Sequence, residues 1–329
     1  MKRFLTGVKP TGFAHLGNYF GAIKPAIELS NQKDSECLYF IADYHALTTV
    51  ESGAEMEEYF YNIACTWLAC GLDPEKVIFY RQSDIKEDFE LNWILCNVTP
   101  KGLMNRAHAY KAMVEKNSEN GVDKDDGVNM GLYNYPILMT ADIVLFDTDF
   151  VPVGFDQKQH VEIARDIVHN FNLKYGKTLK EPNEYIDKNC ATLVGLDGRK
   201  MSKSYNNTIR LFGTSGELKK SIMRIVTDSR LPGEPKDKDC TVNKLFKLFA
   251  SADEAEKFEN DLLAGLGWGE AKNRLFEVAD RYISPMREKY NHYMAHKDEV
   301  DKILADGAVK ARSIASKVLS RVRKAIGVK

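Results

Sequence analysis

Short apolar runs alternate with helix-length segments along the first part of the chain. These runs end before residue 205 and comprise Arg3–Gly7, Leu38–Ala42, Val77–Tyr80, Phe150–Val153 and Thr192–Gly195. Alternation of this kind is typical of parallel strands joined by crossover helices. The runs contain little polar alternation, which indicates strands with both faces buried. The pattern therefore predicts an α/β fold built on a parallel sheet.

The periodicity from residue 206 onward is almost wholly helical. Two segments, Thr214 to Glu217 and Ser251 to Glu254, have the spacing of capping boxes, and each should open a helix. Prolines and a glycine among charges predict a loop over Asp228–Asp239. Because 329 residues are many for one core, we predict two domains. The α/β domain spans 1–205 and an all-helical C-terminal domain spans 206–329, with its last helix packing back on the first domain.

The overall charge balance argues against a broadly basic surface for nucleic acid, since the formal net charge is −1. Hydrophobic residues make up 44% and charged residues 28% of the chain, as in ordinary soluble domains. One local exception is the C-terminal segment 309–329. Its basic residues are Lys310, Arg312, Lys317, Arg321, Arg323, Lys324 and Lys329, without an acidic one. A basic amphipathic helix here can face phosphate, and a solvated surface helix is the simpler alternative.

The cysteines and the N-terminal segment indicate a cytoplasmic protein. The six cysteines form no C-x-x-C pair and no spacing suited to zinc or an iron–sulfur cluster, so we expect reduced thiols and no protein-bound metal centre. The chain starts without the apolar run of a signal peptide, and it contains no stretch of transmembrane length. We therefore expect no membrane association.

A glycine-rich segment follows the first predicted strand. It reads Gly7-Val8-Lys9-Pro10-Thr11-Gly12-Phe13-Ala14-His15-Leu16-Gly17-Asn18 and leads into an apolar helical run. Such a turn lets a phosphate or nucleotide approach the backbone at a helix N-terminus. His15 and Asn18, three residues apart, can place two neutral donors where negative charge grows on a phosphate. The alternative is a structural strand-to-helix turn with a capping Asn18.

A cationic segment occurs near residue 200. It reads Gly195-Leu196-Asp197-Gly198-Arg199-Lys200-Met201-Ser202-Lys203-Ser204. Lys200 and Lys203, flanked by small hydroxyl residues, suit a mobile loop that grips and releases pyrophosphate. The alternative is an ordinary exposed surface loop.

The two segments together resemble the signature motifs of class I aminoacyl-tRNA synthetases, His-Leu-Gly-Asn and Lys-Met-Ser-Lys-Ser, in the order and positions of that family. The resemblance implies a Rossmann-type catalytic domain that binds ATP, with Mg²⁺ held mainly by the phosphates. The residues that it assigns to ATP are Lys9, Pro10, Thr11, Gly17, Asn18, Gly154, Phe155, Asp156, Lys200, Met201, Ser202, Lys203 and Ser204. The expected catalytic groups are His15, Asn18, Lys111, Lys200 and Lys203.

The segments Tyr135–Ile143 and Val151–His160 resemble the tryptophanyl branch of that family more than the related tyrosyl branch. Asp142 lies in an otherwise apolar helical run, where a carboxylate is costly to bury without a donor. The indole N–H is a donor without acceptor character and would satisfy it; an exposed or helix-capping aspartate is the alternative. The residues expected around tryptophan are Phe4, Gly7, His45, Tyr135, Met139, Asp142, Val153 and Gln157.

The resemblance also implies partners and shows departures. It implies L-tryptophan and tRNA(Trp) as substrates, anticodon recognition by 206–329, and a homodimer. Lys9, Tyr44, Phe155 and the stretch Ala107–Tyr110 differ from the commoner family pattern, which leaves the ATP and carboxylate contacts less well defined. Rival interpretations are a tyrosyl enzyme, a nucleotidyltransferase of the same superfamily, and a catalytically silent RNA-binding paralogue.

Overall fold

A five-stranded parallel sheet forms the centre of the N-terminal part. The structure is a computed structural model, and it describes residues 1–154, 157–186 and 193–328. The strands are β1 Lys2–Val8, β2 Ser35–Ile41, β3 Val77–Arg81, β4 Phe150–Pro152 and β5 Asn183–Tyr185. Their order in the sheet is β3-β2-β1-β4-β5, and every pair is parallel. The α/β prediction with a parallel sheet is confirmed.

Four of the five predicted apolar runs are strands, and the fifth run is not the fifth strand. The sheet ends instead with Asn183–Tyr185, whose residues are half-buried or exposed. Within the run predicted at Thr192–Gly195, Thr192 lies outside the described residues and Val194 forms a single bridge with Lys200. A short, largely polar edge strand carries no apolar signal, which explains why the pattern did not indicate it.

Helices cover both faces of the sheet and make up most of the chain after residue 205. They are α1 Leu16–Asn18, α2 Lys24–Ser30, α3 Asp43–Ala46, α4 Gly53–Ala69, α5 Lys86–Cys96, α6 Lys101–Met104, α7 His108–Glu119, α8 Met130–Val144, α9 Lys158–Tyr175, α10 Ser215–Met223, α11 Thr241–Phe249, α12 Ala252–Leu263, α13 Trp268–Ala295 and α14 Lys297–Ile326. Both predicted capping boxes are present, at the starts of α10 and α12. In the described part of the chain, no helix is both long and apolar enough to cross a membrane.

The last two helices pack against the N-terminal part. Helix α13 lies against α4, and α14 lies against β3 and α5. The approach of α14 to β3 is very close at Gly307, where a Cβ would lie 1.7 Å from the carbonyl oxygen of Phe79. Only glycine permits this contact, because every other side chain would push the helix off the strand. The buried core consequently runs from the sheet into the C-terminal helices.

Three arginines of the basic C-terminal segment form ion pairs with acids of the N-terminal part. Arg312 contacts Glu87, Arg321 contacts Asp147, and Arg323 contacts Glu90. The three arginine side chains remain 43–47% exposed, so both sequence interpretations, a phosphate-facing helix and a solvated one, stay predictions. The sequence did not predict these ion pairs, because the acidic partners are distant in sequence and come close only when α14 packs on the N-terminal part. Lys329 lies outside the described residues.

Substituting Gly307 by alanine should lower the stability of the whole protein. Overpacking at a closed contact typically costs about 1–3 kcal/mol, and the contact holds α14 on the sheet. The matched control is Gly269→Ala in α13, where a Cβ would meet no atom within 4 Å. Urea unfolding followed by circular dichroism should give a lower midpoint for G307A and an unchanged or higher one for G269A. Equal midpoints for the two variants would show that the contact is not tight.

Candidate active site

The segments that follow β1, β2, β3 and β4 lie at the same end of the sheet, at the carboxyl ends of the parallel strands. The chain turns to opposite sides of the sheet after β1 and β4, and such a switch point opens a crevice at the carboxyl ends of parallel strands. A cavity of about 500 Å³ lies there, lined by residues of β1 and β4, of α8, and of the segment after β2. The fold therefore places a ligand-sized cavity where open α/β sheets bind ligands.

Asp142 is a buried carboxylate in the wall of this cavity. It lies on α8 with 4% of its surface exposed. Gln82 Nε2 donates to Asp142 Oδ1 over 2.8 Å, and His45 Nε2 lies 2.7 Å from Asp142 Oδ2. Burial raises the pKa of Asp142 and lowers the pKa of His45 to about 4. His45 is therefore neutral near pH 7, and its Nε2 hydrogen is the one that Asp142 accepts.

A second polar group of side chains also lines the cavity. His160 Nδ1 lies 2.7 Å from Gln157 Oε1, and the hydroxyl of Tyr135 contacts His160 Nε2. The ammonium group of Lys9 lies 5.1 Å from the centre of the Tyr135 ring. Desolvation lowers the pKa of Lys9. The lining of the cavity thus holds an acid, a cation and a tyrosine–histidine–glutamine group.

The two sequence motifs, at residues 15–18 and 200–204, are far apart in the sequence and lie side by side in the fold. Lys203 Nζ donates to the carbonyl oxygen of Thr11 over 2.9 Å. The backbone N–H of Gly17 donates to Met201 Sδ over 3.3 Å. Backbone bonds continue the contact, with Leu16 N–H donating to the carbonyl of Ile209. The convergence of the motifs is confirmed, and their binding of a triphosphate remains a prediction.

His15 and Asn18 form the start of α1. The side-chain oxygen of Asn18 accepts the backbone N–H of His15 over 3.0 Å, as in a capping asparagine. Asn18 is exposed, and its catalytic role stays a prediction. Burial, and then the charge of Lys203, lowers the pKa of His15 to about 4. His15 is therefore a neutral imidazole near pH 7. Its Nδ1 has no hydrogen-bond partner among the described residues.

The side chain of Asn207 fixes the conformation of the lysine loop, residues 195–204, by hydrogen bonds. It is buried, and its side-chain oxygen accepts the N–H of Ser202 over 2.8 Å. Its NH₂ group donates to Asp197 Oδ1 over 2.7 Å and to the carbonyl of Lys200 over 3.1 Å. One amide thereby fixes both sides of the loop. Lys200 and Ser204 remain exposed at its surface.

The cavity unites most of the residues expected around tryptophan. Those that line it are Gly7, His45, Tyr135, Met139, Asp142, Val153 and Gln157. Phe4 does not line it, and its ring packs instead against Phe150 and Tyr185.

The residues expected around ATP are distributed differently. Lys9 and Gly154 line the cavity, and Gly154 also lines an adjoining cavity of about 310 Å³ beside α2. The group at the joined motifs comprises Pro10, Thr11, Gly17, Met201, Ser202 and Lys203. Lys111 is exposed on α7 and lines neither cavity. Phe155 and Asp156 lie outside the described residues.

Sequence reasoning missed four polar residues of this region, namely Gln82, Asp88, His160 and Asn207. Gln82 stands at the end of β3, and a polar residue at a strand end was a usable signal. Asn207 follows the lysine motif directly. Asp88 carried no signal, because it sits among the charged residues of the α5 first turn and looks like a surface acid. Its burial results from how α5 packs against α8.

Comparison with known proteins decides the family. Residues 1–284 match the family described as tRNA synthetases class I (W and Y). The tryptophan–tRNA ligase of Pseudomonas aeruginosa is 53% identical over 331 residues, which cover 99% of this chain and 74% of that protein. The chain belongs to the tryptophanyl-tRNA synthetase family. The resemblance seen in the motifs is thereby confirmed.

Other tryptophanyl-tRNA synthetases agree over nearly the full length. The tryptophan–tRNA ligase of Neisseria meningitidis is 50% identical, and the match covers 100% of this chain and 98% of that protein. The crystal structure of tryptophanyl-tRNA synthetase from Campylobacter jejuni, complexed with ADP and tryptophan, superposes with a TM-score of 0.91 at 42% identity and covers 99% of this chain and all of that one. The Rossmann-type α/β fold is therefore the fold of this family.

Replacing Asn207 by aspartate should loosen the lysine loop. The new carboxylate would face Asp197 and could no longer donate to Asp197 or to the carbonyl of Lys200. Each lost hydrogen bond typically costs about 1 kcal/mol, and the two facing carboxylates repel each other. The matched control is Asn206→Asp, the same change at the exposed neighbouring residue. Limited trypsin digestion should cut at Lys200 or Lys203 about tenfold faster in N207D than in the wild type. Equal cleavage in N207D and N206D would contradict the assigned role.

Proposed function

We propose that the chain is a tryptophan–tRNA ligase. It activates L-tryptophan with ATP, giving tryptophanyl-adenylate and pyrophosphate, and transfers tryptophan to the 3′ end of tRNA(Trp). The observation that carries the proposal is the convergence of the two motifs beside a cavity whose wall holds the buried Asp142. The family membership supports it over the full chain.

Tryptophan binds in the cavity lined by these two polar groups. Its indole N–H donates to Asp142, and its ring packs against Met139, which is one turn away on the same helix face. Tyr135 and Gln157, which line the same cavity, face the amino group. Lys9 supplies positive charge for the carboxylate. A tyrosine side chain also carries a donor, its phenolic O–H, so discrimination against it rests on the position of that donor and on the smaller ring.

ATP binds across the joined motifs as its Mg²⁺ complex. Lys203 and Lys200 contact the triphosphate, and Gly154 lies near the nucleoside. Among the described cavity-lining residues, Asp142 is the only carboxylate, and Gln82 and His45 already hold it. The donor set fits a Mg²⁺ ion that takes its ligands mainly from phosphate oxygens and water.

The reaction needs positioning and charge stabilisation rather than a protein nucleophile. The tryptophan carboxylate attacks the α-phosphate in line, and pyrophosphate leaves. His15 is neutral, so it donates a hydrogen bond to the phosphate without adding charge. Asn18 adds an amide donor and the lysines stabilise the charge on the leaving group. We retain Lys111 as a further candidate that reaches the triphosphate from α7.

The later steps involve the helical region and a second chain. We place anticodon recognition in the helical domain 206–329 and propose that the enzyme acts in the cytoplasm, which suits cysteines that form no disulfides among the described residues. We also propose a homodimer. Light scattering coupled to gel filtration should give the mass of two chains, and a single-chain mass would contradict it.

ATP–pyrophosphate exchange across the twenty amino acids tests the activation step. Exchange should depend on L-tryptophan, because its indole N–H can donate to Asp142 while its ring packs against Met139 in the same cavity. L-Tyrosine should support much weaker exchange. Exchange that prefers tyrosine would indicate the tyrosyl branch. Absence of exchange with every amino acid, combined with binding of tRNA, would favour the catalytically silent paralogue.

Replacing Lys203 by alanine should depress exchange while leaving tryptophan affinity unchanged. Its ammonium group lies at the joined motifs, away from the tryptophan pocket, and loss of one transition-state donor typically costs about a hundredfold or more in rate. The matched control is Lys317→Ala, which removes an exposed lysine from α14. Unchanged exchange in K203A, or an equal loss in K317A, would refute the role assigned to Lys203.

A further inference from the structure

Asp88 is a buried acid that the reaction described above does not use. It lies in the first turn of α5 with 1% of its surface exposed. Neither of its carboxyl oxygens accepts a hydrogen bond from an N–H or O–H group of the described residues. An ionised carboxylate in this position would be very costly, because burial removes water and no donor replaces it. Asp88 therefore carries a proton.

The carboxyl group of Asp88 contacts the carboxyl group of Asp142. Two carboxyl groups in hydrogen-bonding contact share one proton, since two adjacent negative charges repel. Burial raises the pKa of Asp88 well above its usual range, and the neighbouring Asp142 raises it further. Asp142 already accepts from Gln82 and His45, which favours its ionised form. The shared proton consequently resides on Asp88.

The proton on Asp88 gives the Asp142 carboxylate a third hydrogen-bond donor. A carboxylate offers about four acceptor positions. Gln82 takes a position on Oδ1, His45 takes one on Oδ2, and the hydroxyl of a protonated Asp88 takes a third. About one position then remains, and Asp142 lines the cavity. Because three acceptor positions of Asp142 are taken by protein donors, the remaining position is the one that can accept from a ligand in the cavity.

We propose that Asp88 is a positioning and specificity residue, whose carboxyl hydrogen holds Asp142 so that its remaining acceptor direction meets the indole N–H of tryptophan. The inference rests on the proposed function, in which tryptophan occupies this cavity. A ligand without the N–H leaves a buried, fixed acceptor unpaired, and this strengthens rejection. Without Asp88, the carboxylate can turn and the selection for a donor weakens.

The test compares two ligands and three variants by isothermal titration calorimetry. The ligands are L-tryptophan and β-(3-benzothienyl)-L-alanine, in which sulfur replaces the indole N–H. Asp88→Asn keeps a hydrogen-bond donor, and Asp88→Leu removes it at similar size. Glu87→Gln is the control, because it removes an acid of the same helix turn that contacts Arg312 instead of Asp142.

D88N and E87Q should keep the dissociation constant of tryptophan within about threefold of the wild type. D88L should raise it about tenfold, the effect of losing one buried hydrogen bond, while the constant of the benzothienyl analogue changes little. If D88L does not fold, Asp88→Ala removes the donor without adding bulk and takes its place.

Two outcomes would overturn the inference. An equal loss for both ligands in D88L would show a packing role only, and a loss of discrimination in D88N as large as in D88L would show that the donated hydrogen is irrelevant. Failure of the proposed function is distinguishable, because wild-type protein would then neither bind tryptophan nor prefer it to the analogue.

Discussion

A buried carboxylate needs hydrogen-bond donors around it, and this requirement at Asp142 determines how α8 and the ends of β2 and β3 come together. Its donors come from two strand ends, His45 after β2 and Gln82 after β3, while α8 supplies the acid. These elements can satisfy it only if they meet at one edge of the sheet. Removing the partners of a buried charged group lowers stability by several kcal/mol, so the contacts of Asp142 stabilise this arrangement of α8 and the two strand ends. The same edge is where a parallel sheet opens a ligand crevice.

The second constraint is the pairing of two motifs that are far apart in sequence. Backbone hydrogen bonds between the first motif and the segment 209–211 anchor the chain just after the lysine loop. Leu16 N–H donates to the carbonyl of Ile209, and Leu211 N–H donates to the carbonyl of Ala14. Asn207 then fixes the loop by hydrogen bonds to the backbone of Ser202 and Lys200. The loop is thus held at its base by the first motif, while its lysines remain at the surface. Rigid anchoring with exposed cations suits a loop that must hold a triphosphate and release it.

The sequence predicted what depends on local pattern and failed where contacts between distant residues decide. Four strands and both capping boxes follow from periodicity and spacing, and a charge in the apolar run of α8 marked Asp142. The edge strand Asn183–Tyr185 has no apolar pattern, and the partners of Arg321 and Arg323 depend on where α14 packs. Asp88 is the sharpest case, because its neighbours in sequence are surface charges and only the packing of α5 on α8 buries it.

The most direct test of the account is a crystal structure of this protein with L-tryptophan bound. The account predicts the indole nitrogen at about 3 Å from a carboxylate oxygen of Asp142, with Gln82 and His45 still bonded to the same group. An indole ring bound elsewhere, or Asp142 turned away from the ring into solvent, would contradict it.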